Sequence, residues 1–159
     1  MAISKIKDTI KKVMPAVVSI VISKSLEDIE KEISHEFYGH VPLGGLPEIP
    51  EEAVDSRGMV KIGGGSGFIA HPNGIIITNK HVVIDPNSEY MVLMSDGRKL
   101  KGAVLARDPV EDIAILKVDA RDLPIVKLGD SASIELGEEI LAIGNALGLF
   151  RYTVSSGIV

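Results

Sequence analysis

The sequence contains two residues, His81 and Asp112, whose side chains suit proton transfer and which lie next to predicted strands. The apolar run 75–78 predicts a strand that ends just before the histidine, and residues 111–118 predict a strand with the aspartate at its start. A histidine whose ring is oriented by a carboxylate provides the base and the orienting group of a Ser-His-Asp triad. No serine that would complete such a triad is evident from the sequence.

The strands that must position these two residues are predicted by apolar runs separated by turn residues. Asn73-Gly74 lies between the apolar runs 65–70 and 75–78 and predicts a hairpin, because glycine takes a positive φ at no steric cost. The other predicted strands are 17–23, 90–94, 99–107 and 139–144, with a short extended piece at 123–128. Short strands joined by turns that contain Gly or Asp are typical of a closed barrel. The predicted fold class is therefore all-β, a six-stranded antiparallel β-barrel.

Composition excludes several classes of protein. A chain of 159 residues fits one domain with a real core, and 16 glycines fit a turn-rich β protein. The net charge of −5 gives no support to nucleic-acid binding, which requires a basic surface. The absence of cysteine excludes disulfides, thiol catalysis and Cys-ligated metals. No apolar run approaches the roughly 20 residues of a transmembrane helix.

The N-terminal residues have the order of charges and apolar residues found in a signal peptide, with four lysines before the apolar run 13–22. However, no small-residue cleavage site follows, and Ile3, Ile6 and Ile10 share one helical face. We therefore expect an amphipathic helix over residues 3–12, ended by Pro15, and then the first strand.

Residues 25–62 interrupt the strand pattern. Ser25 is a plausible helix N-cap, and the apolar spacing predicts a short helix over 26–37, followed by a long loop over 39–59. His35 and His40 lie in this region but are five residues apart, so on a helix they would not share a face. A zinc site of the His-Glu-x-x-His type, whose histidines are four apart, is therefore rejected, and we expect no metal.

Six short motifs are spread over the rest of the chain. They are Gly65-Ser66-Gly67-Phe68-Ile69, Thr78-Asn79-Lys80-His81-Val82-Val83, Ser95-Asp96-Gly97-Arg98, Asp112-Ile113-Ala114-Ile115-Leu116-Lys117, Leu128-Gly129-Asp130-Ser131 and Ser156-Gly157-Ile158-Val159. In order and in rough spacing they resemble the successive motifs of the HtrA (Deg) serine proteases, over residues 14–159. Phe37-Tyr38-Gly39 also resembles an element of that family's regulatory loop, whereas Ala146 stands where the family usually has proline.

The resemblance implies a chymotrypsin-like fold of two barrels, of which this chain would form the N-terminal one. His81 would be the general base, and Asp112 would orient its ring. The implied function is serine proteolysis of unfolded or misfolded polypeptides in protein quality control, without a cofactor. The family is often found in the bacterial cell envelope. We expect residues 1–24 to form the helix and first strand, 25–62 an inserted regulatory-type loop, 63–150 the rest of the barrel, and 151–159 a linker or first strand toward a second barrel.

The family's serine lies in a Gly-Asn-Ser-Gly-Gly element of the second barrel, which is absent from these residues. The resemblance places Ser66 at the start of a core strand, where its flanking glycines would allow close strand packing. The other serines are also poor substitutes, because they lie in predicted turns or linkers without an oxyanion hole: Ser131, Ser133, Ser155 and Ser156. We therefore expect the isolated chain to be inactive. Its exposed inter-barrel face should make it a homo-oligomer, and the tail 151–159 could pair with a neighbouring chain. The alternative function is a non-catalytic barrel that self-associates or binds extended peptides.

Overall fold

The computed structural model describes residues 3–36, 48–146 and 150–159, and within these ranges it contains two α-helices and eight strands. The helices are α1 (Ile3–Val13) and α2 (Leu26–Glu36). The strands are β1 (Val17–Ser25), β2 (Met59–His71), β3 (Ile75–Thr78), β4 (Glu89–Leu93), β5 (Lys99–Arg107), β6 (Ala114–Val118), β7 (Glu139–Ala146) and β8 (Phe150–Ile158). Short 3-10 helices cover Met14–Ala16, Glu51–Ala53, Lys80–Val83 and Ser131–Ser133.

In the described part of the chain, six strands close into an antiparallel barrel in the order β1-β2-β3-β6-β5-β4. Closure is completed by β4, which pairs with β1 from Ser19–Leu93 to Ser23–Glu89. The predicted all-β fold class and the six-stranded antiparallel barrel are thus confirmed. The remaining strands, β7 and β8, form a separate antiparallel pair.

The barrel is filled by side chains that alternate along the strands, as the two-residue period of a strand requires. Val18 and Ile20 of β1, Ile76 of β3 and Leu116 of β6 are almost completely buried. Val83, which lies just beyond β3, is buried in the same cluster. Because each such side chain contributes about 1.5–3 kcal/mol on burial, the core holds the segment around Val83 in place along with the strands.

The predicted hairpin between β2 and β3 is present. Gly74 has φ +88°, and its N–H donates to the carbonyl of His71 at 3.0 Å, which closes the turn. The turn lies against the end of β6, since a Cβ built on Gly74 would lie 2.3 Å from the carbonyl oxygen of Val118. Glycine is therefore required here both by its conformation and by the space available.

The insertion between β1 and β2 leaves the barrel and returns to the same place. Ser25 pairs with Met59, and the N–H of Leu26 donates to the carbonyl of Gly58 at 2.9 Å. Helix α2 confirms the predicted helix as far as Glu36, while His40 and Phe37-Tyr38-Gly39 lie outside the described residues. Among the described residues, no helix is both long and apolar enough to cross a membrane.

The C-terminal part contains a hairpin beside the barrel. The barrel strands end at Val118, and β7, which lies in the range 63–150 predicted for the rest of the barrel, belongs to the separate hairpin. Residues 123–128 do not form a strand: Leu123 and Val126 each donate a single backbone hydrogen bond, to Pro72 and Ile69. Strand β8, which contains most of the tail 151–159, pairs with β7 of its own chain, and its pairing with a neighbouring chain stays a prediction.

Candidate active site

His81 lies in the short 3-10 helix Lys80–Val83, directly after β3. The next two residues, Val82 and Val83, are 7% and 0% exposed and anchor this helix in the barrel core. The His81 side chain, in contrast, is 70% exposed. Burial of its two neighbours therefore fixes the backbone of His81 while its ring is left accessible.

Asp112 does not lie at the start of a strand as predicted, but in a bend two residues before β6. The strand begins late because Asp108 closes a turn: its carboxylate accepts the backbone N–H groups of Val110 and Glu111 at 2.8 and 2.7 Å. The ladder between β3 and β6 ends at the pair Thr78–Ala114. Its register, continued for two residues, places Lys80 opposite Asp112, and the Lys80 N–H donates to the Asp112 carbonyl at 3.2 Å.

The structure brings the two predicted site residues into direct contact. His81 Nδ1 lies 2.6 Å from Asp112 Oδ2, and the His81 backbone N–H donates to Asp112 Oδ1 at 2.9 Å. An ionised carboxylate is only an acceptor, so Nδ1 is the nitrogen that carries the proton of the neutral ring. Among the described residues, Nε2 has no hydrogen-bond partner. Nε2 can therefore accept a proton from a group beyond the described residues.

The charge of Asp112 is favoured by these contacts. The backbone N–H of His81, followed by the side chains of His81 and Asn79, holds the pKa of Asp112 below its ordinary value of 3.8. Asp112 is therefore ionised at neutral pH and available to orient the ring.

A family model for the trypsin-like peptidase domain matches residues 65–159, which include both residues of this pair. The chain belongs to the trypsin-like peptidase family. Its predicted membership of the HtrA/Deg proteases within that family is confirmed by its relatives.

One relative of this chain is a Pseudomonas putida (strain GB-1) protein described as a probable periplasmic serine endoprotease, DegP-like. It is 38% identical over 153 residues, or 91% of this chain and 32% of the relative. A Pseudomonas savastanoi pv. phaseolicola protein with the same description is 47% identical over 95 residues, or 60% of this chain and 19% of the relative. A third relative, from Hahella chejuensis, is 34% identical over 163 residues, or 94% of this chain and 32% of the relative. The chain thus spans at most about a third of each of these relatives.

Sequence reasoning missed a third polar residue of the candidate site, Asn79. Its side-chain Nδ2 donates to Asp112 Oδ2 at 3.1 Å and to the Asp112 carbonyl at 3.2 Å. The signal available in the sequence was its position, two residues before His81 and one after the end of β3. That position could not be interpreted without knowing that Asp112 lies opposite.

A cavity of about 410 Å³ adjoins Asp112 on the side of the C-terminal hairpin. It is lined mainly by apolar side chains from β2, β3, β7 and the connecting segments, among them Phe68, Ile77, Ile113, Leu141 and Ile143. Residues of strand β7 and Asp112 therefore line the same cavity.

The serines considered as nucleophiles are placed in other surroundings. Ser66 pairs with Ser19 in the barrel wall, and a Cβ built on Gly144 of β7 would lie 3.0 Å from its hydroxyl. Ser133 donates its hydroxyl hydrogen to the Asp130 carbonyl at 2.7 Å. Among the described residues, no serine hydroxyl bonds to the ring of His81. Nor does any cluster of three or more His, Asp or Glu residues occur there that would suit a metal.

Proposed function

We propose that this chain forms the N-terminal barrel of an HtrA-like serine endopeptidase, with His81 as the general base and Asp112 as its orienting carboxylate. The observation that carries the proposal is the 2.6 Å contact between His81 Nδ1 and Asp112 Oδ2. This contact leaves Nε2 as the nitrogen directed to a nucleophile.

The chemistry follows from that arrangement. His81 Nε2 removes the proton of a serine hydroxyl as its oxygen attacks the scissile carbonyl, and later gives a proton to the leaving amine. Asp112 stabilises the imidazolium that forms between these steps, since its own charge is kept by the His81 N–H. The second His81 contact, through the backbone, keeps the carboxylate aligned with the ring.

The serine itself is proposed to come from outside these 159 residues, from a Gly-Asn-Ser-Gly-Gly element carried by a second barrel. The support is that His81 Nε2 has no hydroxyl partner among the described residues and that Ser66 packs under β7. The chain by itself is then inactive. The proposed substrates are unfolded polypeptides, in keeping with the serine endoprotease description of the relatives.

The test compares the chain alone with a fusion in which the corresponding remainder of the Pseudomonas putida relative follows Val159. Casein hydrolysis is measured, and a fluorophosphonate label is located by mass spectrometry. The chain alone should show neither turnover nor label, whereas the fusion should show both, with the label on the added serine.

The two matched variants of the fusion are His81→Ala and His71→Ala. The first should reduce kcat by about four to six orders of magnitude. The His71 side chain is exposed, and among the described residues its ring accepts only the Asn73 N–H, at 3.2 Å, so its replacement should change kcat less than about twofold. Turnover by the unfused chain that disappears in His81→Ala would contradict the external serine. An inactive but folded fusion that binds extended peptides would favour the non-catalytic alternative.

We also propose that the isolated chain self-associates. Exposed apolar side chains surround the C-terminal hairpin: Leu136 is 90% exposed, Ile158 72% and Ile140 44%. Covering such a surface contributes about 25 cal/mol per Å² of apolar area. Sedimentation should show oligomers at micromolar concentration, reduced by the double replacement Leu136→Ser and Ile158→Ser but not by Leu105→Ser on β5. A monomeric wild-type chain would contradict this proposal.

A further inference from the structure

Asn79 spans the side chain and the backbone of one residue. Its Nδ2 carries two hydrogens, and the two acceptors within reach are Oδ2 and the carbonyl oxygen of Asp112, at 3.1 and 3.2 Å. We propose that Asn79 is a positioning residue, whose amide holds the Asp112 carboxylate in the orientation that lets both of its oxygens meet His81. The inference rests on the proposed function, because it concerns the same histidine–aspartate pair.

The contacts at the carboxylate show what the amide adds. Asp112 Oδ1 accepts the backbone N–H of His81, while Oδ2 accepts both the His81 ring and the Asn79 amide. Rotation of the carboxylate breaks all three contacts at once. Because the amide also binds the Asp112 carbonyl, it fixes the side chain relative to its own backbone.

Asp112 has few other restraints. It lies beyond the last pair of the β3–β6 ladder, and the one backbone bond that continues the register, from Lys80, is 3.2 Å long. Its side chain is 48% exposed, so packing does not fix its rotamer. Polar contacts from the neighbouring segment must therefore orient it.

The chemistry of the amide also matters. Asn79 donates without adding charge, whereas an aspartate at the same place would put a second carboxylate beside Asp112 and raise the Asp112 pKa. Alanine removes the donor but keeps the Asn79 carbonyl, which accepts the Val82 N–H at 3.2 Å and opens the 3-10 turn. Both replacements keep this backbone contact. Alanine therefore tests loss of the side-chain hydrogen bonds, and aspartate adds the effect of a second charge.

The first measurement is a carbon-13 NMR titration of the Asp112 carboxyl in the 159-residue chain. Asn79→Ala should raise the Asp112 pKa toward 3.8, and Asn79→Asp should raise it further. The control is Asn87→Ala, because Asn87 is an exposed loop residue whose bond to Asp85 comes from its backbone N–H. It should leave the Asp112 titration unchanged. Superimposable amide spectra establish that each variant is folded.

The second measurement uses the active fusion. Asn79→Ala should lower kcat by about two- to tenfold, as expected for one exposed hydrogen-bonding group, with KM unchanged. If Asn79→Ala changed neither kcat nor the Asp112 titration while His81→Ala was inactive, the positioning role would be overturned and the proposed function would stand. If His81→Ala retained activity, the proposed function would fail, and the Asp112 titration would still report whether Asn79 orients the carboxylate.

Discussion

Gly65 and Val82 meet so closely that no side chain fits on the glycine: a Cβ built there would lie 2.5 Å from Val82 Cγ2 and 2.7 Å from Val82 Cγ1. Val82 is the residue after His81 and is only 7% exposed. The absence of a side chain at Gly65 thus lets the segment that carries His81 pack closely against β2. The Gly65-Ser66-Gly67 motif and the His81 motif are two parts of one packing arrangement.

Replacement of Gly65 by alanine should therefore destabilise the protein and displace the His81 segment. Overpacking of this kind costs about 1–3 kcal/mol in the free energy of unfolding. Gly63→Ala in the same strand is the matched control, since its Cβ would meet only Ile22 Cδ1 at an ordinary 3.6 Å. Urea unfolding of both variants, with the ring signals of His81 recorded by NMR, measures the difference. Equal stabilities of the two variants would contradict the packing role.

This contact also shows where sequence reasoning stops. The barrel, the approximate positions of most of its strands and the Gly74 turn were predictable because they depend on local alternation and on turn residues. The glycines around Ser66 were interpreted as allowing close strand packing, and for Gly67 a Cβ would indeed lie 2.9 Å from the Ile77 carbonyl oxygen. Gly65 instead faces a residue 17 positions away in the sequence. No local pattern carries that information.

The candidate site was predictable in part for the same reason. His81 and Asp112 were identified by residue type and by resemblance, yet the start of β6 was wrong by three residues, because the Asp108 turn that delays the strand depends on side chain–backbone bonds. Asn79 was missed, since its role depends on which residue lies across the end of the ladder. Both the start of β6 and the contacts of Asn79 depend on the tertiary structure, which local sequence patterns do not encode.

A buried ion pair ties helix α2 to the loop that follows His81. Lys24 of β1 is 4% exposed, and its ammonium binds Asp85 at 2.7 Å and also Glu32 of α2. Asp85→Asn should lower the free energy of unfolding at about pH 7 by about 1.5–3 kcal/mol, the range for a hydrogen bond to a charged group. Glu89→Gln, which affects mostly exposed ion pairs with Lys101 and Arg57, should lower the free energy of unfolding by less than about 1 kcal/mol.

The pH dependence of the Asp85 effect has a defined sign. The hydrogen bond from Lys24 holds the pKa of Asp85 below 3.8, so the stabilisation is present above that value and is lost as the pH falls through the lower pKa of the folded state. The pKa of Lys24 is raised above 10.5, first by Asp85, so the lysine remains charged throughout that range. Denaturation of wild type and Asp85→Asn between about pH 7 and pH 3 should show the two curves converging in acid. A constant difference would contradict the assignment.

Gly74 and Gly97 lie in turns with nearly the same backbone conformation but different surroundings. Their alanine variants therefore distinguish backbone strain from steric clash. Gly74 and Gly97 have φ of +88° and +90°, but a Cβ on Gly74 would lie 2.3 Å from the Val118 carbonyl oxygen, while a Cβ on Gly97 would meet nothing within 4 Å. Gly97→Ala should lower the free energy of unfolding by about 1–2 kcal/mol, the strain of alanine in a left-handed conformation. Gly74→Ala should cost more, because the turn must also move away from the end of β6, where the Val118 N–H donates to the Gly74 carbonyl at 2.9 Å. Urea unfolding that found the two variants equally stable would show that the turn yields freely and that β6 does not constrain it.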